Sequence, residues 1–193
     1  MRFPAWRFWL WIALSIIVAG CATQPPVSTT IAGPDLSRAG RFALKAEQFG
    51  KDPEAIQGGF TWNDNGMRLS LDLTNPFGSV LARVVVDRNG ATLTRSNGEV
   101  LQAATPDALV ELVLGQSVPV QGLRDWLRLS MNEQSLAAMS QISRDSEGRV
   151  QSFEHHGWRV QRSRFDALGP LLLVMNRQDQ SKTISIRLVI DNP

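Results

Sequence analysis

The chain has 193 residues, 43% of them hydrophobic and 20% charged, with a formal net charge of +2. That length suits one domain with a continuous core. Arg2 and Arg7 account for the excess charge, so the remainder is near neutral and carries no electrostatic footprint for nucleic acid.

Arg2 and Arg7 precede an apolar run, Phe8 to Ala19, that is too short to span a bilayer and ends in small residues, which reads as a cleaved export signal. The tetrad Val18-Ala19-Gly20-Cys21 resembles the lipobox of bacterial lipoproteins. That resemblance implies cleavage before Cys21 and lipidation of its sulfur, with several acyl chains, because one chain holds a protein only marginally. Ala22 stands where lipoproteins retained in the inner membrane carry Asp, which implies the periplasmic face of a Gram-negative outer membrane, with Cys21 as the lipid anchor. Cys21 is the only cysteine, so neither an intramolecular disulfide nor a cysteine-based metal site is available. The expected organisation is a signal over 1–20, a lipidated cysteine and polar tether over 21–38 containing Pro25, Pro26 and Pro34, and a domain over 39–193.

From Gly40 the chain reads as strands. Phe42, Leu44 and Ala46 alternate with Arg41, Ala43 and Lys45, and Phe60 and Trp62 alternate with Thr61 and Asn63. Met67 to Thr74 alternates strictly, and Val80 to Asp87 continues the pattern. Asn89-Gly90 and Asn97-Gly98 are hairpin signals between Ala91–Arg95, Glu99–Ala103 and their neighbours. Thr105-Pro106-Asp107 opens a helix that Gly115 ends, and a short second helix covers Leu123 to Leu129. Strands resume at 136–143, 149–155, 158–165, 171–177 and 182–190.

The fold class is therefore mainly β: about eleven antiparallel strands with a short helical insertion. A sheet of that length with one apolar face curls around an interior, and the helices are the elements available to cover its mouth. Met67, Leu69, Leu71 and Leu73 share one parity and line that interior with Phe42, Phe60 and Trp62. Leu109, Leu112 and Val113 give the first helix its inner face, and Leu123, Trp126 and Leu127 give the second helix an apolar stripe. Trp158 belongs to the same interior, as core or as ligand contact. Pattern alone leaves two interiors open, a cavity for apolar ligands or a filled core.

Asn75-Pro76-Phe77-Gly78 fits a type I turn with Phe77 at its tip, where the ring either folds back onto a loop or projects into solvent. Catalytic chemistry is thin. There is no G-x-S-x-G, phosphate loop or H-E-x-x-H motif, and no metal or cofactor is called for. The two histidines, His155 and His156, are adjacent on an expected strand, where neighbours point to opposite faces and cannot share one metal.

Taken in order, the segments Gly40-Arg41-Phe42-Ala43, Gly58-Gly59-Phe60-Thr61-Trp62 and Leu73-Thr74-Asn75-Pro76-Phe77-Gly78-Ser79 resemble the LolB family of outer-membrane lipoprotein receptors. So do Leu114-Gly115, Val118-Pro119-Val120, Gly122-Leu123-Arg124-Asp125-Trp126-Leu127, Gly157-Trp158-Arg159-Val160 and Ile186 to Asn192. Two departures stand out: Pro193 ends the chain where the family usually has a tryptophan, and Arg128-Leu129-Ser130 replaces a glycine. The resemblance implies an unclosed barrel plugged by helices and a non-enzymatic, monomeric receptor. Its implied partners are a LolA-like periplasmic carrier, triacylated lipoproteins as cargo and outer-membrane lipid. It also implies that Phe77 is the bulky hydrophobe that delivers cargo to the membrane. The alternative is a structural or scaffolding lipoprotein with a filled core that binds a protein partner.

Overall fold

Alternation carries over from sequence to backbone. In the computed structural model of the protein, which describes residues 35–192, β1 (Leu36–Gln48) turns Leu36, Arg38, Phe42, Leu44 and Ala46 inward and the intervening side chains outward. β2 (Glu54–Asp64) buries Phe60 and Trp62, and β3 (Leu69–Thr74) buries Leu69, Leu71 and Leu73. β4 (Val80–Asp87), β5 (Gly90–Arg95) and β6 (Val100–Ala103) complete the first half. Three helices follow: α1 (Pro106–Leu114), α2 (Val120–Trp126) and α3 (Glu133–Ala137). The second half is β7 (Ser140–Arg144), β8 (Val150–His155), β9 (Trp158–Phe165), β10 (Pro170–Asp179) and β11 (Lys182–Ile190).

All strands belong to one 11-stranded antiparallel sheet, in the order β6-β5-β4-β3-β2-β1-β11-β10-β9-β8-β7. The first and last strands meet at its centre, with Gly40 opposite Ile190 and Gln48 opposite Lys182. The edges β6 and β7 do not pair with each other, so the sheet curls without closing. Two glycines permit the bend. A Cβ on Gly40 would overlap the Val189 carbonyl oxygen, and one on Gly58 would overlap that of Thr74 and crowd the Phe42 ring. Strand glycines of this kind mark close backbone approach at the corners of barrel-like sheets.

The boundaries of several elements differ from those the pattern suggests. β1 begins at Leu36, so Leu36 to Arg38 lie in the sheet and not in the tether. Met67 is not in β3: the Asn65 side chain accepts from the amides of Met67 and Arg68, so this stretch is a turn and Met67 sits half-buried outside the strand. The strand expected over 136–143 is split. Asn132 caps α3 by accepting from the Ser135 amide, and only Ser140 to Arg144 extends as β7. α2 starts earlier than expected, at Val120 behind Pro119, and ends at Trp126. α1 follows its signals closely: the Thr105 hydroxyl accepts from the Ala108 amide, and Gly115 closes it with φ 66°.

The inward faces of the strands and of α1 and α2 form one core. Because parity decides which side is dry, Leu71→Lys should cost about 3 kcal/mol or more by burying an unpaired charge. Ser70→Lys, one position along, should stay within about 0.5 kcal/mol. Urea unfolding of the two variants checks this, and equal losses would show a sheet buried on both faces.

Candidate functional site

The concave face of the sheet holds an apolar cavity of about 40 Å³. Its strand wall includes Phe42, Phe60, Trp62, Leu71 and Leu73, and its cover includes Leu123 and Leu127. Leu44, Val110, Leu114, Val118, Val120, Ile186 and Leu188 complete the lining and were not singled out by pattern. Leu44, Ile186 and Leu188 do carry the signal, because they sit at inward parity on β1 and β11. The polar side-chain atom in this lining, Trp62 Nε1, is buried without a hydrogen-bond partner among the described residues.

Other expected lining residues lie elsewhere. Leu69 and Leu109 are fully buried, in the core beside the cavity. Leu112 is 57% exposed, because the helical period turns Leu109, Val110 and Leu114 inward and carries Leu112 to the outer side. Val113 packs half-buried against the core. Trp126 and Trp158 are buried but border a second, more polar pocket of about 290 Å³ shared with Asp125, His155, His156 and Arg177. Trp126 meets Phe153 edge-on at 5.5 Å between ring centroids and His155 at 5.8 Å. Cys21 lies outside the described residues.

The histidines depart from expectation. β8 ends at His155 and His156 adopts φ 48° in the following turn, so alternation stops and the two rings meet with centroids 4.1 Å apart. Burial, and then the neighbouring His156, push the His155 imidazole below its ordinary pKa. Among the described residues no three His, Cys, Asp or Glu side chains are placed to hold a metal.

Polar contacts fasten the plug. Asp64, at the inner end of β2, accepts from Arg124 of α2 at 2.6 and 3.1 Å and pairs with Arg128 at 3.3 Å. Beyond α2, the Arg128 and Leu129 carbonyls accept from the buried guanidinium of Arg162, and the Leu129 amide donates to the Leu168 carbonyl at 2.7 Å. Burial pulls the Arg162 pKa down to about 10, which leaves it charged at neutral pH. Arg38 braces the β9–β10 turn with a two-pronged pair to Asp166 at 2.6 and 2.8 Å. That pair is the main reason the Asp166 carboxyl drops to about 2. Near the other end of the plug, Gln116 donates to Glu54 at 2.7 Å and Arg95 to the Leu112 carbonyl at 3.2 Å. Arg38 and Arg162 share inward parity with the core residues of their strands, which is the signal pattern analysis passed over.

Phe77 is 93% exposed. The Asn75 side chain accepts from the amides of Phe77 and Ser79, and the Gly78 amide donates to the Asn75 carbonyl, so the tip is rigidly turned while the ring meets solvent.

An open antiparallel sheet curled round an apolar cavity, covered by helices and carrying an exposed aromatic tip, defines a β-container with a plug. A family model described as "Outer membrane lipoprotein LolB" matches residues 35–192, and the chain belongs to that family. Relatives called outer-membrane lipoprotein LolB include one from Bordetella petrii, 47% identical over 98% of this chain and 95% of its own length. One from Bordetella pertussis is 46% identical over 96% and 92%, and one from Cupriavidus necator 36% identical over 79% and 77%. A crystal structure of a LolA superfamily protein from Nitrosomonas europaea overlays 81% of this chain and 87% of its own, at a TM-score of 0.43 and 10% identity.

The Asp64 ion pairs set a pH dependence. Burial alone would raise this carboxyl, but hydrogen bonds from Arg124 and the Gly66 amide, with the charge of Arg124, hold it below its ordinary value. A depressed carboxylate stabilises the fold above the unfolded pKa, near 4, and that contribution is lost as pH falls through the lower folded value. Asp64→Asn should therefore destabilise the protein by about 1–3 kcal/mol at pH 7. It should also flatten the loss of stability below about pH 4. Thermal melts of both proteins between pH 7 and 3 check this, and parallel curves would remove Asp64 as the fastening.

Proposed function

We propose that this protein is an outer-membrane receptor that takes lipoproteins by their acyl chains from a LolA-like periplasmic carrier and passes them into the membrane. Family membership supports the general role. The observation that carries the mechanism is the wholly hydrocarbon cavity, apart from Trp62 Nε1, behind a cover of short helices. At about 40 Å³ it is far below the roughly 300–1,000 Å³ of ordinary ligand pockets, so acyl chains enter only by displacing the plug. The side chains displaced, Val110, Leu114, Leu123 and Leu127, are themselves apolar. Exchanging their contacts for acyl contacts conserves most of the buried hydrocarbon, whereas exposing the chains to water would cost about 0.8 kcal/mol per CH₂.

Such exchange requires no catalysis and no nucleotide, only a gradient of affinity from carrier to receptor to bilayer. A step of about 1.4 kcal/mol gives a tenfold bias. Phe77 supplies the outlet: an exposed ring is unfavourable in water and favourable at a lipid interface, where it lowers the barrier to release. Cys21 is the lipid anchor, residues 22–35 tether the domain on the periplasmic face, and the receptor acts as a monomer.

The Cys21→Ala variant should be a soluble protein that still folds and still accepts lipoprotein from the carrier, as judged by fractionation and by transfer in solution. Recovery of that variant in the outer membrane would remove the anchor role. Phe77→Glu should melt within a degree or two of the parent and accept cargo normally, yet release it into liposomes several-fold more slowly. Failure of the parent domain to take up any acyl-bearing lipoprotein would indicate a permanently filled core and overturn the transfer mechanism.

A further inference from the structure

Phe77 is not the only aromatic ring held at a hairpin tip. Phe49, in the β1–β2 turn, is 94% exposed. Its backbone is well fixed: the Phe49 amide donates to the Ser181 carbonyl and the Lys51 amide to the Gln48 carbonyl, both at 3.0 Å. Each ring is followed by a glycine at positive φ, Gly50 at 75° and Gly78 at 87°, with no atom within 4 Å of where a Cβ would stand. Both rings are also almost fully exposed, so both tips project from the domain.

The topology puts them on one edge. In this meander the turns after β1, β3, β5, β8 and β10 fall at the same end of the sheet, and the Phe49–Ser181 bond ties two of them together. Val80, Leu81 and Val100, also exposed, begin β4 and β6 at that end. The opposite turns read Asn65-Gly66-Met67-Arg68, Arg88-Asn89, Asp145-Ser146-Glu147-Gly148 and Asp166-Ala167-Leu168-Gly169, with charges and no aromatic ring.

We propose that Phe49 is a second membrane-contacting residue, so that this edge meets a lipid leaflet at two aromatic tips. The inference rests on the role proposed above for Phe77. The partner it fits is the headgroup–hydrocarbon boundary of a bilayer without strong net charge. Loop 75–79 carries no charged side chain, Lys51 is followed by Asp52, and Glu99 pairs with Arg95 at 3.2 Å. A protein partner fits poorly. Two separate rings offer roughly 150–250 Å² each, against about 800 Å² per side in a stable complex. Lipid requires no shape match, and its attraction grows with apolar area alone.

In a Cys21→Ala background, which leaves no other thiol, Phe49→Cys, Phe77→Cys and, at the opposite edge, Asn89→Cys are each labelled with the fluorophore NBD. They are then mixed with phosphatidylethanolamine–phosphatidylcholine vesicles. The expected result is a blue shift and quenching by brominated lipid at positions 49 and 77 and neither at 89. A response at 77 without one at 49 overturns the second contact and leaves the role of Phe77 standing. No response at 77 overturns both. With the native rings, Phe49→Glu should weaken vesicle partitioning about tenfold, the loss expected for withdrawing one ring from the interface, while Phe49→Trp retains it. A melting temperature several degrees lower for Phe49→Glu would show that the ring packs against the domain. Unchanged partitioning with blocked uptake from the carrier would show that the tip faces protein. Either result overturns the proposal.

Discussion

A sheet that curls without closing must have its inner apolar face covered by something that is not sheet, and the rest of this structure answers that requirement. Most of the strands alternate dry and wet, with β7 exposed along its whole length, and β6 and β7 stop short of pairing, so hydrocarbon would otherwise face water along the concave side. Here α1 and α2 lie across the opening and supply Val110, Leu114, Val120, Leu123 and Leu127 as filling. The exchange proposed above would replace these side chains by other hydrocarbon and leave every strand ladder intact.

The cover is apolar where it touches the cavity and polar where it is fastened. Hydrophobic contact is non-directional, so acyl chains can replace it at small net cost. Charge-assisted hydrogen bonds are directional, and they give the closed position its definition. Asp64 takes Arg124 and Arg128, and Arg162 takes the carbonyls beyond α2. In the proposed mechanism this division holds the plug in one place yet lets it yield to a greasy ligand. It also accounts for buried arginines beside a hydrocarbon-lined cavity, since their donors act on the frame of the cavity and not on its interior.

The two ends of the sheet differ as sharply as its two faces. One end displays Phe49 and Phe77 at hairpin tips, and the other carries charged turns and the Asp64–Arg124 pair that fastens α2. The proposed delivery of hydrocarbon to a membrane requires such polarity, because exposing apolar groups on all sides would invite aggregation. Restricting exposure to hairpin tips keeps the patch small in water while leaving it available to lipid.

Much of this was legible in the sequence because its causes are local. Period-2 alternation follows from strand geometry, so the sheet and the inward set Phe42, Phe60, Trp62, Leu71 and Leu73 can be read residue by residue. Thr105, Pro106 and Gly115 announce α1 through caps that act within a few residues. Asn75 to Gly78 announces a turn, though not whether Phe77 would find a neighbour to fold against. The remainder depended on partners far away in the chain. Asp64 meets Arg124 across 60 positions, and nothing near either residue specifies the other. Leu112 and Leu114 look alike in the sequence, and only the docking of α1 against the sheet decides which one is wet. The sequence by itself determined periodicity and turns, which are properties of short stretches. Tertiary structure alone decided which charges are buried together, how little room the cavity leaves and which tips share an edge, because each depends on non-local packing.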